Sequence, residues 1–102
     1  MYLKRQISES LVTFRSLRFG ATFILSSCKR YEVTIGIGGN IGDVKRRFDR
    51  LLIELQRDKR IDLLKTSLIL KNPPFGFGEQ DDFFNSILVV SVSMQPREFL
   101  DY

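Results

Sequence analysis

Two stretches of this sequence hold residue types suited to recognising a flat, polar or anionic ligand. The first is Gly38-Gly39-Asn40-Ile41-Gly42, directly ahead of Asp43. A turn of this kind brings backbone N–H groups to a ligand and aims a helix N-terminus at an anion. Glycine also permits a tight turn with no ligand at all, and taken alone the pattern reads that way. Gly36, Gly38 and Gly42 mimic a dinucleotide-binding turn, but that reading needs an acidic residue at the end of the next strand, and Asp62 falls at its beginning.

The second stretch is the connection from Asn72 to Phe83, Asn-Pro-Pro-Phe-Gly-Phe-Gly-Glu-Gln-Asp-Asp-Phe, with Asn85 just beyond it. It is longer than most connections in compact domains, and long loops of this kind are often functional. Phe75, Phe77 and Phe83 in a polar, glycine-punctuated loop suit stacking on a flat heterocycle, whereas Phe84 starts an apolar run and reads as core. Glu79, Asp81 and Asp82 form a carboxylate cluster that reads as a solvated loop.

Other chemistries are excluded by what is missing. The chain has no histidine and one cysteine, Cys28, so a single copy can build no disulfide, Cys/His zinc site or histidine-dependent triad. A metal would need oxygen ligands, which favours magnesium or calcium. The net charge of +4 is unevenly spread. Residues 1–30 hold six Lys/Arg against Glu9 alone, while residues 31–102 hold ten basic and eleven acidic residues. The basic character therefore belongs to an N-terminal extension, residues 1–30, and a nucleic-acid partner is not expected. Leu25-Ser26-Ser27-Cys28 loosely resembles a lipid-attachment box, but Arg15 and Arg18 interrupt the apolar run before it. No run approaches the length of a membrane span, and the expected location is cytoplasmic.

The elements that must position these groups are legible from Glu32 onward. Val33, Ile35 and Ile37 alternate with Glu32, Thr34 and Gly36, as in a half-buried strand. Asp43 stands where a helix N-cap belongs, and Val44, Phe48, Leu51, Leu52 and Leu55 form one apolar stripe after it. A second strand runs from about Ile61 to Lys71 and must stop at Asn72-Pro73-Pro74. A third, from about Phe84 to Ser93, reads as near-continuously apolar, and Pro96 starts a new helix. In residues 1–30, Ile7, Leu11, Phe14 and Leu17 recur at helical spacing, and Ala21 to Leu25 suits a short strand. The order from Tyr31 predicts an α+β fold: a ferredoxin-like split βαβ (βαββα, then truncated), with an antiparallel or mixed sheet and helices on one face. Its closing strand is expected to be missing, which leaves an edge of the sheet unpaired.

These motifs, in this order, resemble the 6-hydroxymethyl-7,8-dihydropterin pyrophosphokinase family. Gly38-Gly39-Asn40-Ile41-Gly42 is similar to that family's Gly-Ser-Asn-Leu-Gly, and Asn72-Pro73-Pro74 to its Thr-Pro-Pro. Gln80-Asp81-Asp82-Phe83-Phe84-Asn85 resembles its Gln-x-Asp-Tyr/Phe-x-Asn, and Pro96-Arg97-Glu98-Phe99-Leu100 its Pro-x-Glu-Leu-Leu. The resemblance implies that residues 31–102 are the N-terminal part of such a domain, and that the reaction is diphosphate transfer from ATP to 6-hydroxymethyl-7,8-dihydropterin in folate biosynthesis. It implies that Phe83 stacks on the pterin and Asn85 hydrogen-bonds its amide edge. Pro73, Pro74 and Phe75 would wall the pterin, with backbone groups near Asn72 and Phe75 reading its ring. Gly38, Gly39 and Asn40 would lie on a loop that moves over it, and Leu100 would face the nucleotide. Asn72, Gly39 and Phe75 depart from the usual Thr, Ser and Leu. Magnesium is expected as cofactor, with its ligands, the Asp-x-Asp pair, lying past Tyr102 along with most of the ATP site. The competing expectation is a truncated, inactive fragment or a pterin-binding module without catalysis.

Overall fold

The computed structural model describes residues 2–73, 82–95, 97 and 99. In chain order the elements are β1 (Leu3–Gln6), β2 (Val12–Arg15), β3 (Tyr31–Gly39), α1 (Val44–Arg57), β4 (Ile61–Thr66), β5 (Ile69–Asn72) and β6 (Phe83–Val92). The split βαβ arrangement is present: β3, α1 and β4 make a strand–helix–strand unit, and β6 inserts antiparallel between its two strands. The sheet runs β1-β2-β5-β6-β3, with β4 also on β6, and α1 packs on one face.

The helix follows from its sequence. The Asp43 carboxylate accepts the Arg46 backbone N–H at 3.2 Å, which satisfies one of the unpaired donors of the first turn. Gly42 takes φ +71°, a left-handed backbone that glycine adopts without strain. Val44, Phe48, Leu52 and Leu55 are buried against the sheet, and Leu52 is fully enclosed. Arg97 is helical and Phe99 donates its backbone N–H to the Gln95 carbonyl at 3.0 Å, as the expected helix start requires.

Three regions differ from the sequence reading: the N-terminal segment, the strand after α1, and β6. Residues 2–15 form a β-hairpin, β1 against β2, rather than a helix. Four apolar residues at helical spacing were insufficient to define an element, because Val12 and Phe14 also alternate, and pairing with Lys71 and Ile69 on β5 buries both. Phe19, from the loop that follows, is fully buried and packs on Phe48 at 6.0 Å between ring centroids. Residues 21–25 form no strand of their own: Thr22 makes an isolated bridge to Lys65, and Phe23 and Ile24 donate to the Leu64 carbonyl.

The strand expected over 61–71 is broken between β4 and β5 at Ser67 and Leu68. The Ser67 hydroxyl accepts the Ile87 N–H at 2.8 Å, its N–H reaches the Ile87 carbonyl at 2.8 Å, and its own carbonyl accepts Gly20 N–H at 2.9 Å. A side chain thus replaces one backbone partner, and the ladder bends there. The third difference concerns β6, which is not buried on both faces. Ser86, Leu88 and Val90 point to the helix side, while Ile87 on the other face is 51 % exposed. Among the described residues no helix is long and apolar enough to cross a membrane.

Candidate functional site

The two chemically suggestive stretches meet at one end of the sheet, on the face away from α1. Strand register brings them there. Gly38 lies opposite Asn85, and Asn85 lies opposite Leu70 on its other side. Two rungs along, and so on the same face, Phe83 lies opposite Asn72. Directly opposed residues share a face, so Gly38, Asn85 and Leu70 form one row across three strands, with Phe83 and Asn72 beside it.

Gly38 and Gly39 are the last residues of β3, so the strand runs two residues further than its alternation suggested, and the turn proper starts at Asn40. The glycine at 38 has a steric purpose. A Cβ there would stand 2.7 Å from Asn85 Oδ1, closer than real Cβ atoms approach an oxygen. The Asn85 carboxamide therefore lies over a bare backbone. Its Nδ2 donates to Asn72 Oδ1 at 3.1 Å, and Asn72 Nδ2 donates to the Pro73 carbonyl at 3.3 Å. Asn85 is thus held by the other asparagine of the motif set. This chain of amides holds the Asn85 head in one orientation, so less freedom is lost when a ligand engages it.

An apolar groove of about 370 Å³ runs from Asn85 along the same face, lined by Leu68, Leu70, Ile87 and the edges of Ser67 and Ser86. That is within the usual size of small-molecule sites, which combine apolar walls with a few fixed polar groups. These wall residues were not singled out from the sequence. The signal was present in β3, where the positions facing this side toward its end, Gly36 and Gly38, are glycines that leave the face bare.

Phe83 is half-buried at the rim of this region. Phe84 faces the other way and packs on the core, 6.1 Å from the Phe14 ring. Asp82 pairs with Lys71 at 3.3 Å. Arg47, from the first turn of α1, donates to the Ile41 carbonyl and lies against Gly39, which ties the glycine turn to the helix. Pro74, Phe75, Phe77, Glu79 and Asp81 of the long connection, and Leu100, lie outside the described residues. Among the described residues, no group of three Asp, Glu, Cys or His side chains gathers in a way that could hold a metal ion.

Two titratable groups are displaced from their ordinary behaviour, both away from this site. Burial, reinforced by a hydrogen bond with Asp49, raises the Tyr2 phenol well above its usual range. Hydrogen bonds from Lys29 and Ser27 hold the Asp62 carboxyl below its usual range, with Lys29 Nζ at 2.9 Å and Ser27 Oγ at 2.7 Å.

Residues 34–102 match the sequence profile of the family described as 7,8-dihydro-6-hydroxymethylpterin-pyrophosphokinase. The chain is 41% identical over 71 residues to the 2-amino-4-hydroxy-6-hydroxymethyldihydropteridine pyrophosphokinase of Campylobacter jejuni, covering 70% of this chain and 45% of that protein. It is 27% identical over 68 residues to the protein of the same name in Helicobacter pylori, covering 67% of this chain and 42% of that one. It is also 34% identical over 75 residues to the folic acid synthesis protein of Pneumocystis carinii, covering 74% of this chain and 10% of that protein. The chain thus spans less than half the length of these relatives. No solved structure matches it significantly.

Proposed function

The chain belongs to the 7,8-dihydro-6-hydroxymethylpterin-pyrophosphokinase family, and from that premise we propose that it forms the pterin side of a site that transfers diphosphate from ATP to 6-hydroxymethyl-7,8-dihydropterin. The reading rests above all on the juxtaposition of Gly38, Asn85, Asn72 and Phe83 at one end of the open sheet face. A pterin is flat and carries an amide edge. Asn85 offers a carboxamide held by Asn72, and Phe83 offers a ring beside it. Pro73, with Pro74 and Phe75 by family resemblance, completes the wall. Gly38 and Gly39 at the end of β3, with Asn40 just beyond, border the site, and by family resemblance Leu100 is assigned to the nucleotide.

In the reaction, the pterin hydroxymethyl oxygen bonds to the β-phosphorus of ATP. The bond from that phosphorus to the oxygen shared with the α-phosphate breaks, AMP departs, and the hydroxyl proton is lost. Family members are expected to use magnesium to neutralise the triphosphate. The described residues do not fit a magnesium site, since no carboxylate cluster gathers among them and Asp82 is engaged by Lys71. Their contribution is to bind and orient the acceptor. A pterin-binding role without catalysis is the second reading.

Binding and turnover separate the two. Calorimetric titration of the chain with hydroxymethylpterin should show binding. Asn85→Ala should weaken it by about 1–3 kcal/mol through unpaired polar groups, and Phe83→Ala by about 1–3 kcal/mol if stacking resembles that on bases. AMP release from ATP with magnesium is expected once the chain is joined to the C-terminal half of a relative. Equal losses for pterin and a non-hydrolysable ATP analogue in both variants would mean that these residues only hold the fold together.

A further inference from the structure

We propose that Arg47 is a positioning residue for the pterin site, holding the glycine turn after β3 in one conformation through its bond to the Ile41 carbonyl. The role rests on the pterin reading above. The ladder to β6 ends at Gly39 opposite Phe84, and α1 starts at Val44. Asn40, Ile41, Gly42 and Asp43 lie between, outside both elements. Glycine loses more conformational freedom on folding than any other residue, and this stretch follows Gly38 and Gly39 and contains Gly42 at φ +71°. Packing restrains it little, since the Ile41 side chain is 74% exposed. Backbone bonds from Val44 N–H to the Gly42 carbonyl at 3.1 Å, and from Arg47 N–H to the Asp43 carbonyl at 3.2 Å, fix the turn only from Gly42 onward. The Arg47 guanidinium reaches further back, to Ile41.

Neither burial nor ion pairing explains an arginine here. Arg47 is exposed, and among the described residues no carboxylate pairs with it. It stands at the start of a helix whose first turn holds no acidic residue, where the macrodipole disfavours a cation. Lys45, in the same turn, lies over the rings of Tyr2 and Phe14. Arg47 has the glycine turn instead. Gly39 makes room for it: a Cβ there would stand 3.3 Å from Arg47 Nη2 and 3.4 Å from Val44 Cγ1. The two adjacent glycines thus have different uses. Gly38 leaves space for the Asn85 amide on the open face, and Gly39, opposite the inward-facing Phe84, leaves space for the guanidinium on the helix side. The turn is gripped from one face of the sheet while the strand leading into it borders the ligand site on the other.

Calorimetric titration with hydroxymethylpterin and backbone amide relaxation by NMR, both on the whole chain, test this. Arg47→Ala should raise the Kd for the pterin about tenfold, as if the turn were competent about one tenth of the time. Arg47→Lys keeps a charged donor, which is all that a single carbonyl requires, and should stay within about threefold of the wild type. The melting temperature of Arg47→Ala should stay level or rise, because alanine removes a cation from the positive end of the helix. A residue that merely supported the fold would lower affinity and melting temperature together. Order parameters of Asn40, Ile41 and Gly42 should fall in Arg47→Ala from about 0.85 to below about 0.6, with those of α1 unchanged. Relaxation is read without ligand, so a wild type that binds no pterin while the turn still responds to Arg47→Ala would sink the pterin reading and leave the tie standing. Order parameters indifferent to Arg47→Ala overturn the proposal. So does an unchanged pterin affinity, or a loss of affinity matched by a fall in melting temperature.

Discussion

Phe14 and Phe19, ahead of the family match, are buried, while Asn72 and Asn85, inside it, are accessible on the sheet face. The N-terminal segment supplies packing. Its hairpin covers the free edge of β5, its loop places Phe19 on Phe48, and Lys45 lies over the rings of Phe14 and Tyr2. The matched region supplies an open face whose glycines and amides are poor core material but good ligand contacts. Basic composition alone said little about the N-terminal segment, because its aromatic residues, rather than its charges, decide where it goes.

This contrast can be broken most severely at Phe19. Phe19→Ala should cost about 3–5 kcal/mol, as truncation of an enclosed aromatic does, and lower the melting temperature by 12 °C or more at about 4 °C per kcal/mol. Leu17→Ala, two residues away and 94% exposed, should change stability by no more than about 0.5 kcal/mol. Thermal unfolding by circular dichroism measures both. Equal, small effects would show that the N-terminal loop does not belong to the cooperative core.

Gly38 tests the other side. Gly38→Val must displace the Asn85 amide, since even its Cβ would clash with Oδ1. Pterin affinity should fall about tenfold, the loss of roughly one well-placed polar contact, with the melting temperature nearly unchanged because Gly38 faces solvent. Gly36→Val, where a Cβ meets nothing, should leave both unaltered. A comparable loss from the two variants would move the site away from Asn85.

A smaller effect than at Phe19 or Gly38 is expected at Asp62, which ties the N-terminal segment to β4 through Lys29 and Ser27. Its folded carboxyl titrates below its unfolded value, so its stabilising contribution is present above the ordinary aspartate range and disappears as pH falls through the folded pKa. Asp62→Asn should therefore cost about 1 kcal/mol or less at neutral pH, with the difference from wild type vanishing in acid. Urea titrations at several pH values would show it. A pH-independent difference would mean that the side chain acts through packing.

Much of the matched region was legible from local pattern. The stripe from Val44 to Leu55 and the Asp43 cap specify α1, since helix periodicity and capping involve neighbours three or four residues apart. The alternation of Val33, Ile35 and Ile37 specifies β3 for the same reason, and the order of the elements was enough to anticipate the split βαβ arrangement. The ordered motifs at Gly38, Asn72 and Asn85 marked the region where a site should be sought. What the chain alone left open was everything set by pairing between distant residues. Ile7, Leu11, Phe14 and Leu17 fit a helix as well as a strand until β5, more than fifty residues on, selects Val12 and Phe14 as a buried pair. Ser67 breaks a strand only because Ile87 and Gly20 arrive to bond it. Ile87 reads as core, yet it is exposed because α1 packs on one face of the sheet only. The Asn85–Asn72 bond, and the bare glycine beneath it, depend on a three-strand register, which only the folded sheet determines.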